Sequence, residues 1–521
     1  MRESRGLYDL FRLRDPAHEP ATALRTAAGQ RCSYADLHQA AGRIANLLQA
    51  NGLCRGEVLA AAVDKSPAAL TLYLACLRAG VVYLPLNTAY GETELAPLLE
   101  DTAPRALVCD PRLSAVFERH AAAGPDRLLW TLDAAGRGSL DAAESHTVDF
   151  DDPALAEDEL AALLFTSGTT GRPKGAMITH GNLRHMAGAL TRQWAFSEED
   201  VLLHALPMMH GHGLFVALGC VLASGASMLF LPRFDADEVC RLLPEATVMM
   251  GVPTFYARLL KHPGFTRDAG AGMRLFTSGS APLPVEVARG MRERTGRDLV
   301  ERYGTTETAI CTAETLDGEK QPGRVGRPLS GVALRVVDDA HQPLPAGRTG
   351  AVEVAGENVF QGYWREPEKT AAAFTDDGYF KTGDLGYLDG DGRLTLVGRE
   401  SDLIISGGYN VYPREVENVL DRLEAVEESA VFGVPHPDFG EAVVALVVPA
   451  RVDAGEEKLI AAVRRQLAGY KTPKRILFAD ALPRNRFGKV QKNVLRDRHQ
   501  SLFRQAAAHD ARVPDEEKSD E

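Results

Sequence analysis

A run of small hydroxyl residues and glycines at 166–175 is the strongest chemical signal in the sequence. It reads Thr-Ser-Gly-Thr-Thr-Gly-Arg-Pro-Lys-Gly and follows an apolar stretch at 162–165. Backbone N–H groups, hydroxyls and one mobile cation in such a loop can surround phosphates. Gly168 and Gly171 lack the spacing of a Walker A loop, and no Gly-Lys-Ser/Thr follows them. We therefore predict a phosphate-binding loop here, with an ordinary Gly/Ser turn as the alternative.

Strand and helix patterns alternate on the N-terminal side of this loop. A strand pattern at 58–63 precedes a helix pattern with Ser66 as its N-cap and Gly80 just past its end. A second apolar run follows at 81–86, so the order strand, helix, strand predicts a parallel βαβ unit. Further apolar runs continue this pattern at 106–110, 128–133 and 162–167. The sequence therefore predicts an α/β fold for the first part of the chain.

A cluster of turn residues indicates a second domain. Asp-Gly-Asp-Gly at 389–392 lies between two strand-like segments, and the apolar pattern restarts after them. We place the boundary near Gly398, which predicts a large N-terminal domain at 1–397 with α/β subdomains and a small α+β lobe at 398–506. The lobe includes a predicted helix at 456–470. An acidic tail at 507–521 is expected to be disordered.

The composition limits the classes of function. The net charge is -13, whereas a surface that follows nucleic-acid phosphates needs a basic excess. The seven cysteines are scattered and include no Cys-x-x-Cys pair, which disfavours disulfides and zinc. The N-terminus has no apolar signal region, and no run approaches the ~18 apolar residues of a membrane span. We expect a cytoplasmic protein with small-molecule partners, without nucleic-acid binding or membrane insertion.

Further motifs follow the 166–175 loop in a fixed order. They are the segments ERYGTTET at 301–308, KTGDL at 381–385, GRESD at 398–402, SGG at 406–408 and PRNRFGK at 483–489. Together with the loop they resemble the adenylate-forming superfamily of acyl-CoA synthetases, luciferases and peptide-synthetase adenylation domains. The resemblance covers nearly the whole chain. It implies that ATP activates a carboxylic acid as its acyl-adenylate, and that coenzyme A then accepts the acyl group.

The same resemblance implies roles for the charged residues. Glu307 would hold Mg²⁺, a cation that prefers hard oxygen ligands, and Thr306 would contact phosphates. Asp384 would accept the ribose hydroxyls and Arg399 would add a ribose or phosphate contact. Lys489 would stabilise the charge that develops as the adenylate forms. The alternatives are a solvated acid at Glu307, a salt bridge for Asp384 and Arg399, which each could also hold beside its role, and a solvated lysine at Lys489.

The resemblance also implies a set of ATP contacts. That set comprises Thr166, Ser167, Gly168, Thr169, Thr170, Lys174, Gly279, Ser280, Ala281, Tyr303, Gly304, Thr305, Asp384 and Arg399. In the superfamily the small lobe is mobile and rotates between the two half-reactions. The hinge falls on Ser401, where aspartate or lysine is more frequent, and Gly407 and Gly408 would let the pantetheine of CoA pass.

Two segments indicate which carboxylic acid the enzyme activates. The segment PMMHGHGLFV at 207–216 matches the motif that lines the acyl pocket, with His210 at its aromatic or histidine position. The segment GVPTFYARLL at 251–260 predicts a helix from Pro253. The residues of these and neighbouring segments resemble those of malonyl-CoA synthetases. The resemblance implies that Arg258, helped by Ser278 and His210, holds the distal carboxylate of malonate or methylmalonate.

Other interpretations stay open at this point. Arg258 can instead be an exposed helix residue paired with a neighbouring acid. The enzyme can be a CoA ligase for another short-chain or aryl acid, or a stand-alone amino-acid adenylation domain. From a different class, the chain can be a nucleotide-binding regulator that has lost catalysis. The residues do not rank malonate against methylmalonate, because one methyl group shifts selectivity by only about 1–3 kcal/mol.

Overall fold

The computed structural model describes residues 6–124, 126–166, 173–451, 455–484 and 489–503. The predicted contacts at Ser167, Gly168, Thr169 and Thr170 lie outside these ranges, as does the tail at 507–521. No helix within them is long and apolar enough to cross a membrane.

The elements alternate along the chain. The strands within the described residues are β1 (Thr22–Thr26), β2 (Arg31–Ser33), β3 (Val58–Ala62), β4 (Val82–Pro85), β5 (Ala106–Cys109), β6 (Leu128–Thr131), β7 (Leu160–Thr166), β8 (Lys174–Thr179), β9 (Val201–His204), β10 (Ser227–Phe230), β11 (Val248–Gly251), β12 (Leu275–Ser278), β13 (Leu299–Tyr303), β14 (Thr312–Ala313), β15 (Arg324–Pro328), β16 (Val332–Val337), β17 (Gly350–Gly356), β18 (Gly362–Tyr363), β19 (Phe380–Leu388), β20 (Leu394–Arg399), β21 (Ile404–Ser406), β22 (Tyr409–Val411), β23 (Val426–His436), β24 (Gly440–Pro449) and β25 (Arg475–Phe478). The α-helices there are α1 (Tyr34–Ala50), α2 (Pro67–Ala79), α3 (Glu92–Thr102), α4 (Ser114–Ala122), α5 (His180–Gln193), α6 (Leu218–Ser224), α7 (Ala236–Leu242), α8 (Pro253–Lys261), α9 (Val285–Thr295), α10 (Pro367–Ala373), α11 (Pro413–Leu420), α12 (Glu456–Gln466) and α13 (Lys492–His499). A π-helix spans His212–Ala217, and a 3-10 turn spans Glu400–Asp402.

Two large sheets build the N-terminal part of the chain. The first has the strand order β16-β17-β19-β20-β15-β14-β13-β12-β11-β9-β10-β1-β2, and the second has the order β18-β8-β7-β4-β3-β5-β6. In the first sheet β13, β12, β11, β9 and β10 are parallel neighbours. In the second, β3 pairs in parallel with β4 and β5. The antiparallel strands from β14 onward extend the first sheet beyond its parallel part.

The predicted βαβ unit is confirmed, and its helix ends have clear local causes. The Ser66 side chain accepts a hydrogen bond from the backbone N–H of Ala69, which satisfies one of the unpaired donors at the start of α2. Gly80 ends the helix with φ +68°, a left-handed conformation that glycine adopts without a Cβ clash. The chain then enters β4 beside β3.

One hydrophobic core joins the two large sheets. Its buried side chains come from strands of both sheets, such as Leu59 of β3 and Phe230 of β10, and from helices α1, α2, α5 and α6. Burial of apolar area is the main favourable term in folding. The shared core therefore fixes the position of one sheet relative to the other.

The small lobe begins where β20 of the first sheet ends. Its own sheet has the order β22-β21-β24-β23, with β25 parallel to β24. Alternate residues of β24 face two separate cores, with Val443 on the side of α11 and α12 and Val444 on the side of α13. Because both faces of the sheet are covered at β24, residues 442–448 of this strand are all apolar and buried. The predicted fold class, α/β with a large N-terminal and a small C-terminal domain, is confirmed.

The helix predicted at 456–470 is shorter than expected. It ends at Gln466, and Leu467 is already extended, with φ -123° and ψ 158°. Gly469 then begins a 3-10 turn. Glycine costs a helix about 1 kcal/mol relative to alanine, and the chain must turn here to reach β25.

Candidate active site

The predicted acid and adenine segments meet at one edge of the first sheet. His204, Gly251, Ser278 and Tyr303 are the last residues of β9, β11, β12 and β13, which are parallel. Because the carboxyl ends of parallel strands share one edge, the loops that follow them lie side by side. Ligands of open α/β sheets bind outside this edge. The sheet therefore brings 205–212, 252–258, 279–281 and 304–308 to one cleft.

Asp384 and Arg399 form a cross-strand ion pair at the rim of this cleft. They are direct neighbours in the register of β19 and β20, and Arg399 Nε lies 2.7 Å from Asp384 Oδ1. The Tyr303 hydroxyl donates to Asp384 Oδ2 at 2.5 Å. Burial raises the pKa of Asp384, whereas the Arg399 guanidinium and the Tyr303 hydroxyl oppose that rise. The proposed ribose carboxylate is thus held in a fixed position by two neighbours.

Glu307 is linked through Tyr363 to Lys174, which lies at the described end of the predicted phosphate loop. The loop joins β7 to β8, and Thr166 is the register partner of Lys174 across this hairpin. Lys174 Nζ lies 4.9 Å from the centre of the Tyr363 ring, and the Tyr363 hydroxyl donates to Glu307 Oε1 at 3.0 Å. The burial of Tyr363 and the adjacent Glu307 carboxylate raise the pKa of this tyrosine, which keeps it a donor.

Glu307 has the properties of a carboxylate that shares a Mg²⁺ with a ligand. It is half-buried and makes no ion pair with a residue that the structure describes. In the same part of the chain, no group of three or more His, Cys, Asp and Glu side chains could hold a metal ion. Mg²⁺ commonly binds through one or two carboxylates together with substrate phosphates and waters. A single carboxylate next to a phosphate loop therefore fits Mg²⁺ that arrives with ATP.

Thr305 and Thr306 follow β13 on the same side. Both are half-buried, and the Thr305 N–H donates to Thr308 Oγ1 at 2.9 Å. This turn fixes the backbone between Tyr303 and Glu307. Gly304 precedes it and is half-buried as well.

Lys489 reaches this cleft from the small lobe. The residue as a whole is exposed, but its charged end is surrounded by protein atoms. Burial and the nearby Arg399 cation lower the pKa of Lys489, whereas the Asp384 carboxylate raises it. Arg302 and Glu307 add a further lowering and a further raising effect. The structure therefore brings Lys489 together with the predicted ribose and magnesium residues.

Ser278, His210 and His212 line the region predicted to bind the acid. The Ser278 hydroxyl and His212 Nε2 are buried and have no hydrogen-bond partner among the described residues. His212 Nδ1 lies 3.4 Å from the Ser280 hydroxyl. Burial, with a smaller contribution from Lys489, lowers the pKa of His210 to about 4, so this imidazole is neutral at pH 7. Buried polar atoms without partners are costly, which indicates a polar ligand here.

Arg302 is the residue that the sequence analysis missed. It belongs to β13, is 5% exposed, and makes no ion pair with any residue in the described ranges. Its Nη2 donates a long hydrogen bond of 3.4 Å to the Ser280 hydroxyl, and its Nε has no acceptor there. Gly279 packs against it so closely that a Cβ would lie 2.5 Å from Cζ. Burial lowers the pKa of Arg302 to about 10, so the guanidinium is charged at neutral pH.

The position of Ser280 adds to this arrangement. Ser280 is exposed and adopts φ +68°, which is uncommon for a residue with a side chain. Such strain costs on the order of 1–3 kcal/mol and is concentrated at functional sites. Ala281 follows it and is half-buried. The Gly279–Ala281 loop therefore presents a hydroxyl between His212 and Arg302.

Arg258 occupies the predicted helix but not a buried position. Helix α8 begins at Pro253 as predicted, and Arg258 lies on its second turn. The side chain is exposed and has no ion pair with the residues that are described. The alternative of a surface pair with a neighbouring acid is therefore not seen there.

The predicted hinge and CoA residues lie on the connection and the surface of the small lobe. Ser401 is exposed in the 3-10 turn between β20 and β21. Gly407 and Gly408 form the two-residue turn between β21 and β22, with φ +59° and +80°. Two positive φ values are typical of a type I′ hairpin turn, which favours glycine at both positions. Both glycines are exposed.

Comparison with family models covers most of the chain. Residues 13–364 match the AMP-binding enzyme, and residues 415–489 match the AMP-binding enzyme C-terminal domain. The chain is 36% identical over 500 residues to the feruloyl-CoA synthase of an Amycolatopsis species, with 95% of this chain and 98% of that protein covered. It is 34% identical over 451 residues to the malonate–CoA ligase of Arabidopsis thaliana, with 80% of this chain and 74% of that protein covered.

Among solved structures, ATP-bound MatB from Rhodopseudomonas palustris matches with a TM-score of 0.93 at 48% identity, over 96% of this chain and 100% of that chain. The apo form of the same MatB gives a TM-score of 0.84 at the same identity and coverage. Since sequence and coverage are equal, the difference in TM-score comes from conformation. The present arrangement is thus more similar to that of ATP-bound MatB than to that of apo MatB.

Proposed function

Because this chain belongs to the AMP-binding enzyme family and is an AMP-forming acid–CoA ligase, we propose that its acid is malonate or methylmalonate. The observation that supports this proposal is the burial of Arg302 without a carboxylate partner among the described residues. A buried guanidinium without a carboxylate partner carries a desolvation cost of several kcal/mol. A carboxylate on the substrate would offset that cost. A fatty chain or a plain aryl ring in the same place would leave the charge unpaired.

A small dicarboxylic acid would place one carboxylate near Lys489 and the other near Arg302. One carboxylate would lie toward Lys489 and the ATP phosphates, where it reacts. The other would meet Arg302 and the Ser278 hydroxyl, which are both buried. Arg258 would close the pocket from α8. Arginine pairs with a carboxylate through two parallel hydrogen bonds, which fixes orientation as well as charge.

The first half-reaction joins the acid to AMP. A carboxylate oxygen attacks the α-phosphorus of ATP, a new O–P bond forms, and the bond to pyrophosphate breaks. Lys489 would balance the negative charge on the carboxylate and α-phosphate oxygens as they approach. Thr166, Lys174 and Thr306 would hold the leaving phosphates. Mg²⁺ on Glu307 would neutralise part of their charge when it is bound with ATP.

The second half-reaction transfers the acyl group to CoA. The thiolate of CoA attacks the acyl carbon, a C–S bond forms, and the bond from this carbon to AMP breaks. Asp384 and Arg399 would retain the ribose of the leaving AMP. Gly407 and Gly408 would border the path of pantetheine after the small lobe rotates about Ser401.

The experiment is pyrophosphate release with ATP, Mg²⁺ and CoA across a panel of acids. The panel contains acetate, propionate, malonate, methylmalonate, succinate, benzoate and ferulate, and it is repeated with Arg258→Ala. We expect malonate or methylmalonate to exceed propionate by about 100-fold in kcat/KM, since loss of one partner of a buried charge pair costs 2–5 kcal/mol. We expect Arg258→Ala to reduce that preference.

Two outcomes would contradict the proposal. Preference for a monocarboxylate such as ferulate or acetate would keep the ligase and replace the acid. Binding of ATP without pyrophosphate release with any acid would indicate a regulator that has lost catalysis.

A further inference from the structure

Lys65 and His204 form a buried polar contact between the two large sheets. Lys65 follows β3 of the second sheet and is 8% exposed, and His204 ends β9 of the first sheet and is 1% exposed. Neither residue has a place in the reaction described above. No carboxylate pairs with Lys65 in the described part of the chain. Burial lowers the pKa of Lys65 well below its usual value, because desolvation disfavours the ammonium, so the polar groups around Nζ must offset that cost.

Nζ of Lys65 has three polar neighbours, as many as an ammonium has donors. Nζ lies 2.8 Å from His204 Nδ1, 2.7 Å from the His204 carbonyl oxygen and 3.0 Å from the Leu206 carbonyl oxygen. Nζ also lies 4.3 Å from the centre of the Phe230 ring, within range of a cation–π contact. These contacts hold the first residues of the segment that leaves β9.

The other nitrogen of His204 holds the far end of that segment. Nε2 lies 3.0 Å from the Gly213 carbonyl oxygen. A carbonyl only accepts, so Nε2 must carry the proton. Nδ1 is therefore the acceptor for Lys65, and the tautomer is fixed from both sides. Burial and the Lys65 cation lower the pKa of His204, which keeps this imidazole neutral.

The segment between these two anchors is closed into a loop. Gly213 packs against Pro207 so closely that a Cβ on Gly213 would lie 2.1 Å from the Pro207 carbonyl oxygen. Gly213 also lies in the π-helix that begins at His212. Such wide turns occur often at functional sites because they displace side chains from the regular helical positions. The loop closed in this way carries His210 and His212.

From this geometry we infer that Lys65 and His204 are positioning residues for the acid pocket. Lys65 fixes where the loop leaves the sheet, and His204 fixes where it enters the π-helix, so together they set the positions of His210 and His212. The inference rests on the proposed function, because these histidines matter only if an acid binds beside them. Neither Lys65 nor His204 contacts the reacting atoms.

The test compares acid and ATP parameters in three variants. Lys65→Met removes the ammonium and keeps a long side chain. His204→Asn keeps an acceptor near Lys65 and loses the donor to Gly213, whereas His204→Gln keeps that donor and loses the acceptor. We expect kcat/KM for malonate to fall by roughly 10- to 100-fold in Lys65→Met and His204→Asn, because small displacements of positioning groups cost this much. His204→Gln should retain more of it. ATP affinity, measured by calorimetry without acid, should stay within about twofold.

Arg78→Met is the matched control for the loss of a buried cation. Arg78 is 4% exposed, pairs with Asp152 at 2.8 Å, and lies on α2 away from the loop. Arg78→Met should lower the unfolding midpoint. It should not reduce kcat/KM for malonate while leaving the ATP affinity unchanged. Equal loss of both parameters in the Lys65 and His204 variants, or no loss in either, would overturn the inference. If Lys65→Met does not fold, the His204 pair decides. Failure of the proposed function would instead be seen as a wild type that releases no pyrophosphate with malonate.

Discussion

At the scale of single residues, Lys489 gives the sharpest test of the chemistry. Lys489→Ala should lower adenylate formation by roughly 100- to 1,000-fold, the usual loss for one preorganised donor at developing charge. It should leave thioester formation from a supplied acyl-adenylate nearly unchanged. The two half-reactions are measured separately, by pyrophosphate release and by acyl-CoA formation.

The matched control for this variant is Lys458→Ala. Lys458 is exposed on α12 of the same lobe and should affect neither half-reaction. Equal losses of both half-reactions in Lys489→Ala would contradict the assigned role and would point to damage to the whole lobe.

The residues of the site were predictable to different degrees. Asp384, Glu307 and Lys489 stand in motifs whose order is specific, and the structure brings them to one cleft. Arg302 was not predicted because it lies in the strand LVERY. The adjacent charged residues Glu301 and Arg302 are typical of a strand at the exposed edge of a sheet. The burial of Arg302 depends on Gly279, which follows β12, and this contact cannot be deduced from spacing along the sequence.

At the scale of elements, three consecutive side chains of β13 lie in three different environments. Tyr303 reaches Asp384 and Arg302 lies beside Ser280, while Glu301 Oε1 accepts from the Gly323 N–H at 2.8 Å. Glu301 is 6% exposed. Burial raises the pKa of Glu301 to about 8, although the Gly323 N–H and the Arg414 cation of the small lobe oppose this.

This shift predicts how stability depends on pH. Between the ordinary pKa of 4.5 and about 8, the unfolded chain loses the Glu301 proton while the folded chain keeps it. The folded state then binds more protons, so its stability decreases by about 1.4 kcal/mol per pH unit as pH rises through this window. Glu301→Gln keeps the acceptor for Gly323 and removes the titration. Its unfolding midpoint should exceed that of the wild type at pH 8 and approach it at pH 5.

Glu293→Gln on α9 is the control, because Glu293 is exposed and its carboxylate lies 3.7 Å from Arg289 Nε, a long ion pair. It should follow the wild type at every pH. A Glu301→Gln midpoint that differs from the wild type by the same amount at pH 5 and pH 8 would contradict the raised pKa.

Element types followed from local signals more reliably than sheet membership did. The Ser66 cap and the Gly80 end predict α2 because they act on hydrogen bonds within a few residues. The extension of the first sheet from β14 to β20 depends on pairing between distant segments. Nothing local in those strands specifies their order, and a two-residue strand such as Thr312–Ala313 has no pattern of its own.

At the scale of the whole molecule, the two proposed half-reactions require rotation of the small lobe. The chain passes from one sheet to the other through the exposed turn at Ser401, and the arrangement is more similar to ATP-bound MatB than to apo MatB. Proline at 401 fixes φ near -65° and limits the rotation that a hinge must absorb. Ser401→Pro should therefore impair thioester formation more than adenylation, the reverse of Lys489→Ala.

Ser401→Ala is the control for this substitution, because it removes the hydroxyl and leaves φ free. It should keep both half-reactions. Equal rates of the two half-reactions in Ser401→Pro would place the hinge elsewhere in the chain.

The ratio of kcat/KM for malonate to that for propionate identifies the acid that the enzyme prefers. The two acids differ in the distal carboxylate, so the ratio reports the charge pair with Arg302. We predict a ratio of at least about 100 in the wild type, reduced by roughly the same factor in Arg302→Met, with propionate turnover retained. A wild-type ratio near one, or a high ratio that Arg302→Met leaves unchanged, would contradict the account.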